Sequence, residues 1–371
     1  MIEPNPTASP QLRQQALQMW ARGALTNVYG VDPGLVEASA LGGDASFRRY
    51  FRYHPPPGSG LPASLMLVDA PPARENNPAF LFAARAFRKA GLHTPDIYAW
   101  DLEQGFMVLE DFGDQLYLPI LQQARSDADL ARVDVLYGQA MGALLALQAC
   151  PQQIALPPYS QSLLHQELSL FDQWFCVDML GLTLTEADKA LLARTRDMLV
   201  RAALAQPQVP VHRDFHSRNL MVRVSDDGAY IENQPPGVID FQDAVSGPVT
   251  YDLVSLLRDC YIVWPPSEVE RWLQEFVVLA RARGILPELY SDEQLLRDFD
   301  LMGLQRHIKV LGIFCRLALR DGKTAYLNDL PVVMDYVIQV ATLRPEMAEF
   351  LGWFRARAEP MMRRKLAERS A

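Results

Sequence analysis

Asp214, Asn219 and Asp240 are the residues whose types and spacing best support chemistry. Asp214 and Asn219 stand five apart in Val211-His212-Arg213-Asp214-Phe215-His216-Ser217-Arg218-Asn219-Leu220-Met221-Val222, a polar loop between apolar, strand-like runs. Asp240 ends a second buried run, Gly237-Val238-Ile239-Asp240-Phe241. Any one of them alone would pass as a turn cap. Joined as H-x-D-x-x-x-x-N and I-D-F, they fit phosphoryl transfer, which needs a carboxylate to take the hydroxyl proton and oxygen ligands for a metal bridging the phosphates. Mg²⁺ keeps several waters, so one carboxylate and one amide carbonyl suffice. This assigns Asp214 as base and Asn219 and Asp240 as Mg²⁺ ligands, with ATP as donor.

Competing motifs are weaker. His212-x-Asp214-x-His216 offers two histidines four apart, but its flanks read as strand and loop, and no third ligand cluster follows. Gly322-Lys323-Thr324 imitates the end of a P-loop, yet the required earlier glycine is Leu317 and no strand precedes it. There is no G-x-S-x-G elbow.

The elements that must position these residues fall into two zones. With 371 residues, 49% of them apolar, the chain has material for two or three domains. The first helix should start at Ser9-Pro10 and run towards Gly23, with strands at 47–53, 64–68, 96–100 and 105–109. A helix capped at Asn77-Pro78 and ending near Gly91 lies among them. Beyond residue 112 helical periods dominate, at 128–149, 161–180, 186–205, 249–262, 267–283 and 292–319, interrupted by short strands over 209–241. The expected architecture is α+β: an N-terminal ATP-binding lobe over 1–112, a mainly helical catalytic and substrate-binding lobe over 113–371, and a cleft between them.

A net charge of −9 argues against general nucleic-acid binding. No basic leader precedes an apolar stretch, and no apolar run approaches the length of a membrane span. The four cysteines sit among apolar neighbours without a CxxC pair, which reads as buried thiols in a cytoplasmic protein. Nothing in the sequence calls for an obligate protein partner.

The 211–222 and 237–241 segments resemble the catalytic core of the aminoglycoside phosphotransferase and choline kinase-like group, small-molecule relatives of protein kinases. His216, two residues after the base, is typical of that group, and Asp243 with Tyr251-Asp252-Leu253 follows its downstream pattern. There the second aspartate is usually structural, so Asp252 is read as a loop anchor. The resemblance implies a bilobal protein-kinase-like fold. Gly42-Gly43-Asp44-Ala45-Ser46-Phe47-Arg48-Arg49-Tyr50, Val68-Asp69-Ala70-Pro71-Pro72, Glu110-Asp111-Phe112-Gly113-Asp114, Phe171-Asp172-Gln173-Trp174-Phe175 and Gln305–Phe314 extend it. Together they are similar to the anomeric amino-sugar kinases of bacterial cell-wall recycling, over roughly residues 12 to 350. That likeness implies phosphorylation of N-acetylmuramate and N-acetylglucosamine at C1.

On the nucleotide side, Gly43, Asp44, Ala45 and Ser46 lie where a first hairpin turn would cradle phosphates with its backbone N–H groups. Glu110 marks the hinge that would meet adenine. A kinase places lysine on its third strand, but Ser64–Asp69 has none, and the helix after it lacks the pairing glutamate, Glu75 lying ahead of it. Among Arg48, Arg49 and Arg52, Arg49 is the chosen substitute. On the substrate side, Arg306, Lys309, Arg316 and Arg320 share one helix face. That face is either a solvated basic stripe or a receiver of an anionic substrate group through Arg306 and Lys309. Trp174 either stacks on a sugar or belongs to the core, while Glu167 and Asp172 either bind sugar hydroxyls or are exposed helix residues without a role. The competing functions are a kinase of the same fold for an aminoglycoside, choline or homoserine, and a pseudokinase scaffold suggested by the missing lysine.

Overall fold

The structure is a computed structural model that describes residues 9–42, 47–150, 154–223 and 234–370. Its chain divides into two compact units, Met1–Tyr117 with Asn219–Asp243, and Leu118–Arg218 with Ala244–Ala371.

In the first unit, helix α1 (Pro10–Tyr29) starts where Ser9 caps the Leu12 amide and Pro10 supplies a fixed φ. It runs through Gly23, where a stop was expected, and ends at Gly30, whose φ of 71° is the left-handed stop that Gly23 does not adopt. Strands β1 (Ala38–Ala40), β2 (Arg49–Tyr53), β3 (Leu65–Asp69), β4 (Ile97–Asp101) and β5 (Phe106–Glu110) form an antiparallel sheet ordered β1-β2-β3-β5-β4. Alternation along the strands sends Phe51, Tyr53, Leu65, Leu67, Phe106 and Val108 to one face, which Leu17, Ala21 and Leu25 of α1 close. Each fully buried leucine there contributes about 1.5–3 kcal/mol. Helix α2 (Asn77–Lys89), capped by Asn76, packs Phe80 and Phe87 against Phe241.

A two-stranded ladder, Leu220–Met221 with Gly237–Val238, completes this unit. A Cβ at Gly237 would stand 2.7 Å from the Phe112 ring, so only glycine lets this ladder close on Phe112.

The second unit is mainly helical: α3 (Tyr117–Ser126), α4 (Leu130–Gln148), α5 (Gln161–Leu170), α6 (Glu186–Ala205), α7 (Tyr251–Leu257), α8 (Pro266–Ala282), α9 (Asp292–Asp321), α10 (Leu330–Leu343), α11 (Ala348–Trp353) and α12 (Glu359–Ser370). The 30-residue α9 is its centre, packed by α5, α6, α7 and α10. By length and composition α4 could cross a bilayer, and half of its most apolar window is buried inside the protein.

Two expectations change here. The helix expected over 161–180 becomes π-helical over Phe171–Met179. The helix expected over 249–262 is only α7, because the chain leaves it at Arg258 and turns Asp259 onto Ser217. An antiparallel pair, Gln208–Val211 with Val245–Pro248, delivers the chain to the 212–218 loop.

Candidate active site

Within the second unit the 212–218 loop is fixed by backbone contacts to two buried carboxylates. His212 and Arg213 donate their amides to Asp252 at 2.6 and 2.9 Å. Ser217 donates its amide and hydroxyl to Asp259 at 3.0 and 2.5 Å. Asp252 is thus the anchor the sequence suggests; burial pushes its pKa up to about 7 even against these two donors. Arg213 has φ of 77°, a left-handed conformation costly for a residue with a Cβ. Its guanidinium offsets that cost by pairing with Glu167 and lying 5.4 Å over the Tyr159 ring.

Asp214 is half-buried in this strained loop. Burial alone would raise its pKa, but Lys309, His216, Arg213 and Arg306 outweigh burial and hold the carboxyl below the usual aspartate range. A carboxylate that is ionised at neutral pH results. Lys309 donates to the Tyr251 hydroxyl at 2.7 Å and stands 3.6 Å from Glu167. Arg306 is 3% exposed, and its Nη1 is buried without a hydrogen-bond partner among the described residues.

The solvated-stripe alternative therefore fails at Arg306 and Lys309, both buried beside Asp214; of the four basic residues Arg320, farther along α9, is the exposed one. Glu167 is likewise not an exposed helix residue: it is buried and shared by Arg213, Lys309 and Tyr159. Asp172 pairs with Arg196, and Trp174 lies half-buried on the π-helical segment.

Asn219 and Asp240 belong to the first unit. The Asn219 carbonyl accepts from the Ile239 amide at 3.1 Å, and its side-chain amide stands 3.4 Å from Asp240 Oδ2. Asp240 has φ of 64°, a second left-handed non-glycine, and is exposed at the end of its strand with Gln242 donating to Oδ1 at 2.8 Å. Among the described residues no three His, Cys, Asp or Glu side chains gather around a metal-sized site. One exposed carboxylate beside one amide instead suits a hard cation that retains its own waters.

Of the residues expected to bind ATP, Gly43, Asp44, Ala45 and Ser46 lie outside the described residues. Arg49 is tied to Asp69, which Arg13 also binds, and to the Pro10 carbonyl at 2.9 Å. Arg52 bonds Asp111 at 2.6 Å and Asp114 at 2.7 Å. Arg48, just before β2, pairs with Glu75 at 3.1 Å and lies 5.0 Å over the Phe80 ring, joining a buried guanidinium to a carboxylate ahead of α2. The sequence signal for it was Glu75 alone, displaced from the helix in which a kinase would carry it. Glu110 bonds both the amide and carbonyl of Asp96, and burial raises its pKa.

Residues 37–285 match the phosphotransferase enzyme family. The N-acetylmuramate/N-acetylglucosamine kinase of Pseudomonas putida is 42% identical over 342 residues, 91% of this chain and 94% of its own. The kinase of the same name from Pseudomonas aeruginosa is 40% identical over 349 residues, 92% of this chain and 96% of its own. Among solved structures, an ethanolamine kinase of Plasmodium vivax aligns with a TM-score of 0.58 at 12% identity, over 91% of this chain and 90% of its own. A choline kinase of Cryptosporidium parvum aligns with a TM-score of 0.58 at 10% identity, over 90% and 99%. At such identities the structures speak for the fold alone, and they bear out the kinase-like α+β architecture. The family match covers more than half of the chain, and with it the chain belongs to the phosphotransferase enzyme family.

Proposed function

We propose that this protein transfers the γ-phosphoryl group of ATP to the anomeric C1 hydroxyl of N-acetylmuramate and N-acetylglucosamine, giving sugar 1-phosphates and ADP. The observation that carries the reading is the Asp214 carboxylate, kept ionised by buried cations on a loop locked by Asp252. The names of relatives aligned over nine-tenths of the chain support the choice of acceptor. An anomeric hydroxyl is more acidic than an ordinary alcohol, so a carboxylate with a depressed pKa suffices to accept its proton as the phosphorus–oxygen bond forms. Asn219 and Asp240 would hold Mg²⁺, which when bound neutralises charge on the β- and γ-phosphates. Gly43, Asp44, Ala45, Ser46, Arg49 and Glu110 are assigned to ATP, and Trp174, Arg306 and Lys309 to the sugar. The division into an ATP-binding lobe over 1–112 and a catalytic lobe over 113–371 is part of this reading, as are a cytoplasmic location and a role in peptidoglycan recycling.

The cations around Asp214 weigh against choline and aminoglycosides, which are themselves cationic. The test incubates the protein with Mg²⁺-ATP and, separately, N-acetylmuramate, N-acetylglucosamine, choline, homoserine and kanamycin, with products read by phosphorus NMR. The expected result is a sugar 1-phosphate, reduced at least 10²-fold in Asp214→Asn, since a positioned base contributes about 10²–10⁴-fold. A 6-phosphate, or product only from another acceptor, overturns the anomeric assignment.

A further inference from the structure

The register between α5 and α9 locates a cation that the catalytic loop does not use. Lys309 stands 3.6 Å from Glu167, and three residues on along both helices, a Cβ at Gly312 would lie 2.6 Å from the Leu170 carbonyl oxygen and the Phe171 amide. Equal steps on both chains mean that the helices run parallel and nearly touch at Gly312. Farther along, Cys315 lies close enough to Cys176 to act electrostatically on its thiol, and both cysteines are fully buried. At about 100° per residue on α9, and somewhat less on the wider π-helical segment, the side away from those cysteines carries Arg316 on α9 and Trp174 on the π-helical segment. Both are half-buried, seven residues and so about two turns beyond Lys309 and Glu167, with Arg316 on the helix face it shares with Arg306 and Lys309.

Unmatched charge marks Arg306 and Arg316 on this face, and of the two Arg306 is already fully buried beside Asp214. Lys309 is matched by Glu167, and Arg320 is bound by its neighbour Asp321 at 2.8 Å. On the π-helical segment Asp172 is held by Arg196, and Asp178 accepts from Gln173 at 2.9 Å. Arg316 forms no ion pair among the described residues, and its Nε is buried without a partner. Burial and then the repulsion of Arg320 pull its pKa down, as for a cation lacking its counter-ion.

We propose that Arg316 and Trp174 form a subsite for the sugar, in which the Trp174 ring stacks on the pyranose and the Arg316 guanidinium binds a carboxylate carried by the substrate. This rests on the amino-sugar reading above and deepens it. Of the two acceptors, N-acetylmuramate carries a lactyl carboxylate and N-acetylglucosamine does not. Arg316 then sets the preference between acidic and neutral sugars while leaving the transfer step itself to Asp214.

The experiment measures kcat/KM for both sugars in wild type, Arg316→Gln, Arg316→Lys and Arg320→Gln, with thermal melting to confirm folding. Loss of a charged hydrogen bond predicts a fall of about tenfold to a hundredfold for N-acetylmuramate in Arg316→Gln, mostly in KM. N-acetylglucosamine should stay within about twofold, Arg316→Lys should recover part of the preference, and Arg320→Gln should match wild type. Equal losses on both sugars, or an unchanged ratio, overturn the subsite while leaving the kinase reading intact. Wild type that turns over neither sugar overturns the kinase reading and the subsite together.

Discussion

The Glu167 carboxylate and the Lys309 ammonium stand 3.6 Å apart, buried between α5 and α9. Glu167 also pairs with Arg213, so one carboxylate balances two buried cations. Removing a partner from a buried pair costs about 3–5 kcal/mol because the remaining charge is stranded. Glu167→Gln is therefore expected to lower the unfolding free energy by that order in urea titrations, and to reduce kcat by loosening Arg213. A variant with wild-type stability would show that the two cations are balanced elsewhere.

Lys309 is the strongest of the charges that depress the Asp214 pKa. Its removal raises that pKa, so Asp214 protonates at a higher pH. In Lys309→Met the acid limb of the kcat/KM profile is expected to move to higher pH, with the plateau approached only above it. An acid limb that stays in place would separate Lys309 from the base.

Asn219 and Asp240 meet at 3.4 Å, and the metal reading makes them unequal partners. Asn219→Ala should raise the Mg²⁺ concentration needed for half-maximal rate by at least about tenfold, rescued by excess metal. Asp240→Asn, which removes the only formal charge of the pair, should remain slow at any Mg²⁺ concentration. Equal Mg²⁺ dependence in wild type and both variants would remove the metal from these residues.

His307 stacks on Tyr336 at 4.7 Å and bonds the Arg258 carbonyl at 3.0 Å, fully buried. Burial first, then Arg306, lowers its pKa from 6.5 to about 3. Below pH 6.5 the unfolded chain therefore takes up a proton that the folded protein refuses until about pH 3. The stability that neutral His307 contributes is complete above pH 6.5 and lost on acidification, at up to about 1.4 kcal/mol per pH unit. Urea titrations from pH 7.5 to 5 should show this slope, and His307→Gln should flatten it.

Much of this protein was legible in the sequence because it depends on local chain chemistry. Pro10 after Ser9, the alternation over Arg49–Tyr53, and the step from Asp214 to Asn219 each act over a few residues. They carried the α+β class, and the role proposed for the 212–218 loop, without any knowledge of distant partners. Asp252 as an anchor was legible for the same reason, as part of a recurring local pattern. Tertiary structure decided what a helical wheel cannot see. The wheel separates Arg306 and Lys309 from the apolar face of α9, but whether that second face meets water or other helices depends on how many elements surround it. In this fold α9 is packed by α5, α6, α7 and α10, so both cations are buried beside Asp214. Glu167 turned from a solvent-facing residue into the counter-ion of Lys309 and Arg213 by the same packing. Arg49, chosen among the three arginines of its stretch, is bound by Asp69 of the next strand, while Arg48 pairs with Glu75. A charge's partner is set by three-dimensional neighbours far apart in the chain, and it is the partner that decides whether the charge holds the fold together or is left for a substrate.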